Sequence, residues 1–170
     1  MKKILFFFAV LPVFLLAAKA AFAQKKNQLE GVWKVVEVIV PSQSTGKDTT
    51  ISTPQPGVLI LTKGYYSVIV IQSARPRTAP EPPKDAQNLT DAEKIARFNE
   101  WSPLTANSGT YEIKGSTILR HPIVAKSVDV MNRQDPLADD FTLEGTNTLR
   151  IIPAADRAGI RPKVKLIRLE

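Results

Sequence analysis

The chain has 170 residues, 44% of them hydrophobic and 23% charged, and no cysteine. That suffices for one small domain with its own core, not for two, and the missing thiol excludes a disulfide scaffold and any cysteine metal site. The net charge of +7 falls to +4 once Met1–Ala23, which holds Lys2, Lys3 and Lys19 and no acid, is set aside. The remaining basic residues are scattered among acids, which favours solubility and mild attraction to an anionic envelope surface over nucleic-acid binding.

Met1-Lys2-Lys3 is a short positive segment, Ile4 to Ala18 is apolar apart from Pro12, and Ala21-Phe22-Ala23 offers small residues around a cleavage point. These three features define a secretory signal. The apolar run falls short of the roughly 20 residues that cross a bilayer as a helix. The expected division is therefore a signal peptide over 1–23 and one domain over 24–170, periplasmic or secreted, with no membrane span after cleavage behind Ala23.

From there the pattern is mainly of period two. Val35, Glu37 and Ile39 alternate with Lys34, Val36 and Val38. Gly57–Leu61 and Tyr65–Ile71 are split by Lys63-Gly64, Thr110–Lys114 and Thr117–His121 by Gly115-Ser116, and Asp140–Glu144 and Thr148–Ile152 by Gly145-Thr146-Asn147, all hairpin signatures. Lys163–Leu169 closes the chain with Val164, Leu166 and Arg168 on one face. Between the second and third hairpin strands, Ala74–Lys84 carries four prolines and reads as an extended loop. A helix follows, with Thr90 and Glu93 forming a capping box and Pro103 ending the run. Eight or nine short, hairpin-linked strands predict an all-β fold, an antiparallel up-and-down barrel or a sandwich, with one short helix.

Face parity sharpens this. Across the Gly115 turn, Tyr111, Ile113, Ile118 and Arg120 share one mainly apolar face, which puts Arg120 inward or at the rim. On a regular first strand Glu37 shares the face of Trp33 and Val35. An inward Glu and an inward Arg are costly unless paired or wet. They are either a structural ion pair, or groups turned into water by a register bend, or a polar handle in a cavity.

Gln28-Leu29-Glu30-Gly31-Val32-Trp33 puts Gly-x-Trp at the start of the first strand, which resembles the first lipocalin motif. Arg168 lies on the apolar face of the last strand, where lipocalin-type barrels set a basic residue against that tryptophan; the cation–π contact contributes about 0.5–2 kcal/mol. Gly64-Tyr65-Tyr66-Ser67-Val68, Ser108-Gly109-Thr110-Tyr111-Glu112-Ile113, and Pro122-Ile123-Val124-Ala125-Lys126 with Met131 shortly after are similar to the bacterial lipocalin-like domain family. The resemblance runs from about Leu29 to Arg168. It implies a closed barrel of about eight strands with a central cavity, and no single activity. The Thr-Asp-Tyr-type turn of classical lipocalins is missing, and a helix near Thr90–Trp101 is not a classical feature.

The chemistry is sparse. His121 is the one histidine, no Gly-x-Ser-x-Gly elbow exists, and there is no dinucleotide fingerprint or phosphate loop, so no cofactor or metal is expected. Asp139 and Asp140 point to opposite faces of a regular strand and read as a solvated strand start. One function that fits is a binding module. Its cavity takes a small, mostly apolar ligand lined by Tyr66, Val68, Tyr111, Ile118, Arg120 and Met131, with Glu37 as partner of Arg120, Arg75 and Arg77 at the mouth, and Trp33 and Arg168 as structural closure. A second is an isomerase or cyclase in which Tyr111 is the acid, Arg120 the anion stabiliser and Glu37 the base. A third is a protein-interaction barrel without a ligand.

Overall fold

The computed structural model describes residues 27–42, 47–73, 75–155 and 159–170, so Met1–Ala23, with its signal-peptide reading, lies outside the described residues. In chain order the elements are β1 (Gly31–Val40), β2 (Thr49–Ile51), β3 (Gly57–Leu61), β4 (Tyr65–Ile71), α1 (Asp91–Trp101), β5 (Leu104–Lys114), β6 (Thr117–Ala125), α2 (Val128–Met131), β7 (Leu137–Glu144), β8 (Thr148–Ile152) and β9 (Lys163–Arg168). Every strand pairing is antiparallel. The order β1-β3-β4-β5-β6-β7-β8-β9 closes because β9 pairs back onto β1, and β2 adds a short rung to the far end of β1. The result is a closed eight-stranded barrel, which removes the sheet edges that an open sheet of this size would leave exposed.

The two ends are built differently. The hairpin turns after β3, β5 and β7 gather at one end, here called the lower end, together with the lead into β1 and the end of β9. The long connections, with α1 and α2, gather at the upper end. At the lower end Trp33 is fully buried and its indole nitrogen donates to the Leu29 carbonyl at 2.8 Å. The Arg168 guanidinium carbon lies 4.1 Å from the Trp33 ring centroid. Its nitrogens donate to the carbonyls of Thr146, Glu30 and Gln28, which ties the last strand to the lead and to the β7–β8 turn. Gly31 is required there, because a Cβ would stand 2.3 Å from the Glu170 carbonyl oxygen and 2.4 Å from Arg168 Nη1. The Gly-x-Trp signal thus has a physical cause: the glycine admits the chain end that covers the indole.

Two bulges set which residues face inward. In β1 the register against β9 slips between Val35 and Glu37, so Val36 is an extra residue. Beyond it Val38 faces inward opposite Val164, and Glu37 turns outward opposite Lys165. The expectation that Glu37 shares the face of Trp33 and Val35 is overturned. In β6 the slip falls at Ile123, where Gly109 pairs with Pro122 and Ser108 with Val124. Pro122 has no N–H to give a ladder, and a bulge is where a strand tolerates that. A Cβ on Gly109 would lie 2.0 Å from the His121 carbonyl oxygen, so this close pairing needs the glycine.

The core is the barrel interior. Leu29, Trp33, Val35, Leu59, Leu61, Tyr66, Tyr111, Ile118, Leu149, Ile151 and Leu166 form one buried cluster. The helix α1 forms as its capping box requires: Thr90 N–H donates to Glu93 Oε2 at 2.7 Å, and Glu93 N–H to Thr90 Oγ1 at 3.3 Å. It buries none of its residues, however, and Phe98 is 70% exposed. Its apolar face does not join the core.

Candidate functional site

Midway up the interior, four polar side chains meet. Tyr66 from β4, Asn107 from β5, Arg120 from β6 and Asp139 from β7 all face inward, each no more than 9% exposed. Each sits at an alternating position on a mainly apolar strand face: Asp139 shares its face with Leu137 and Phe141, and Asn107 with Thr105, Gly109 and Tyr111. Arg120 engages Asp139 through two nitrogens, with Nη2 to Oδ1 at 3.0 Å and Nε to Oδ2 at 2.5 Å. Its third nitrogen, Nη1, donates to Asn107 Oδ1 at 3.0 Å. The Tyr66 hydroxyl donates to the same Oδ1 at 2.8 Å, and the Arg120 guanidinium lies 5.2 Å from the Tyr66 ring centroid. The Ala154 N–H donates to Asp139 Oδ1 at 2.9 Å, which anchors the β8–β9 connection to the network.

A fork-shaped guanidinium against a carboxylate is the geometry that makes a buried pair tolerable. Burial is the largest influence on the Tyr66 phenol and pushes its pKa above the ordinary tyrosine value, against the lowering effect of Arg120. Tyr111 is raised for the same reason. Its hydroxyl donates to the Thr62 carbonyl at 2.9 Å and accepts from Asn27 Nδ2 at 3.2 Å, so it serves the lower end rather than the network.

Above the network the interior loosens. Val38, Val68, Val70 and Val164 face inward and are only half-buried, although they pack against the core; Phe141 and Leu143, on the lower side of Asp139, are half-buried too. Toward the upper end the inward valines keep partial contact with water. Outside the wall, a furrow of about 300 Å3 runs across β7, β8, β9 and β1, past Glu37, Ile39, Arg150, Ile152, Lys163 and Lys165. Its bases are largely engaged: Arg150 with Glu144 and Lys163 with Asp48.

The structure brings together Tyr66, Val68, Ile118 and Arg120 of the expected ligand set inside the barrel, with Tyr111 directly opposite Arg120 in the ladder. Trp33 and Arg168 are in contact as their closure role requires. Three expectations are corrected. Glu37 lines the outer furrow, so it is neither the partner of Arg120 nor a base facing Tyr111; the Val36 bulge separates it from both. Met131 sits on α2, 38% exposed, because the chain has left the barrel wall by then. Asp139 is a buried ion-pair partner, not part of a solvated strand start. Arg75 and Arg77 are exposed in the β4–β5 connection.

Asn107 and Asp139 escape a sequence reading that looks for reactive pairs. The available signal was a lone polar residue on the apolar face of a strand, twice, matched to an inward arginine. Among the described residues no three metal-ligating side chains converge, and no helix is long and apolar enough to cross a membrane. No protein-family model matches the chain, and no curated protein matches it.

Proposed function

We propose that the protein is an exported, lipocalin-like binding protein that holds a small, mostly apolar molecule in the upper half of its barrel. One observation carries this reading. The interior is closed at one end, crossed by a polar network at mid-height, and lined above it by half-buried valines that face inward. A mostly apolar concavity with a few fixed polar groups is the general form of a small-molecule site. Export rests on the N-terminal signal, and the lipocalin-like relationship on the Gly31-Val32-Trp33 and Arg168 closure taken with the order of the other motifs.

Native mass spectrometry of the protein purified from its own cell envelope tests both parts. The expected result is a chain that begins at Gln24 and carries a co-purifying small molecule. A chain that retains Met1–Ala23 overturns export. Repeated absence of any adduct, with no thermal shift across a panel of lipids and apolar metabolites, overturns the binding reading.

A further inference from the structure

Resting on that binding reading, we propose that the barrel's ligand carries an uncharged hydrogen-bond acceptor, such as a ketone or ester carbonyl, and that Asn107 Nδ2 receives it. The neighbours of Asn107 fix which way its amide points. Arg120 has only donors, so the atom of Asn107 that faces it must be the oxygen. That oxygen already accepts from Arg120 Nη1 at 3.0 Å and from Tyr66 Oη at 2.8 Å, which uses both of its lone pairs. The amide nitrogen, with two N–H donors, is left on the opposite side. It has no protein partner among the described residues, although Asn107 is only 7% exposed.

Among the described residues no fully enclosed side-chain nitrogen or oxygen lacks a partner. The Asn107 nitrogen therefore opens onto accessible space. Its place in the ladder says which space: Asn107 lies one rung above Tyr66, opposite Val68 on one side and Ala125 on the other. Both neighbours are small and apolar, so Nδ2 is the polar donor at this level of the interior, with Thr105 the next residue above it on the same strand face.

The electrostatics select the kind of acceptor. Arg120 is the cation nearest this amide, and Asp139 balances its charge through a two-nitrogen contact. The ligand would thus meet a neutral donor in front of a compensated pair. A carboxylate would have to leave water without gaining a free countercharge. A carbonyl gives up less solvation and satisfies the amide.

Three probes of equal chain length separate the possibilities: n-decane, a decanone and decanoate, each offered to the mature protein in excess and read by native mass spectrometry and isothermal titration. The decanone should bind about tenfold tighter than decane, the worth of one hydrogen bond, and decanoate no tighter than the decanone. Equal binding of decane and the decanone overturns the role of Asn107 and leaves the binding reading standing. Preferential binding of decanoate overturns the neutrality of the site. Failure of all three to bind overturns the cavity itself. Asn107→Asp keeps an oxygen toward Tyr66 and Arg120 but removes the donor, so it should abolish the ketone preference while decane still binds. If that variant does not fold, the three-probe ranking on the unaltered protein still decides.

Discussion

The lower and upper halves of this barrel use the same strands for opposite ends. Below, Leu29, Trp33, Leu61, Leu149 and Leu166 are each at most 2% exposed, and Arg168 fastens three carbonyls over the indole. Above, the inward positions are mostly valines that still meet water. A small barrel can fill with side chains throughout. This one concentrates bulk at the sealed end, where it stabilises, and leaves short side chains where space remains. The Tyr66–Asn107–Arg120–Asp139 network divides the two regimes.

The largest effect should come from breaking the sealed end. Trp33→Ala removes the most deeply buried aromatic and leaves Arg168 without its ring. A loss of up to about 5 kcal/mol is expected in denaturant unfolding, enough to leave much of the protein unfolded. Next is the dividing network. Asp139→Ala strands a buried guanidinium and should cost about 3 kcal/mol, whereas the double variant Asp139→Ala with Arg120→Leu should recover part of that loss. A double variant no better than the single one would show that the pair's charges are not the issue.

At the open end the ordering reverses. Val70→Ala should cost about 1 kcal/mol or less, yet change apolar-probe affinity more than any substitution at the sealed end that still folds. A Val70→Ala protein as unstable as Trp33→Ala would erase the distinction between the halves. The smallest effect is alkaline. Tyr66 and Tyr111 have folded pKa values raised by burial, so both favour the folded state while protonated. Their contribution is complete below the ordinary tyrosine value of about 10 and is lost as pH climbs through the raised values. Tyr66→Phe should flatten that alkaline decline in a pH series of unfolding curves.

Much of the barrel was legible in the sequence, because the strands alternate and the turns between them are marked by Gly64, Gly115 and Gly145. The closing contact was legible too, since Gly31, Trp33 and Arg168 each have one physical job. The β1 bulge was not. Val35, Val36 and Val38 are β-branched and suit either face, so nothing in the run announces that one of them is extra. That single residue sends Glu37 outside and takes the expected Glu37–Arg120 pair with it. The true partner, Asp139, was hidden for a different reason: a carboxylate beside another carboxylate reads as solvent-facing until the strand's odd face, with Leu137 and Phe141, is recognised as the buried one. The capping box of α1 was legible in full, but local capping says nothing about whether a helix docks, and here its apolar residues stay exposed.

The excursion that carries α1 has joined feet. Gln72 N–H donates to the Pro103 carbonyl at 2.7 Å, and Lys126 Nζ, just past the end of β6, reaches the carbonyls of Trp101 and Ser102. A detour that leaves and returns through adjacent atoms imposes almost nothing on the ladder between β4 and β5. Engineers would recognise a graft port: the stretch between those feet can be trimmed, lengthened or exchanged for foreign sequence, and the cylinder beneath keeps its alignment.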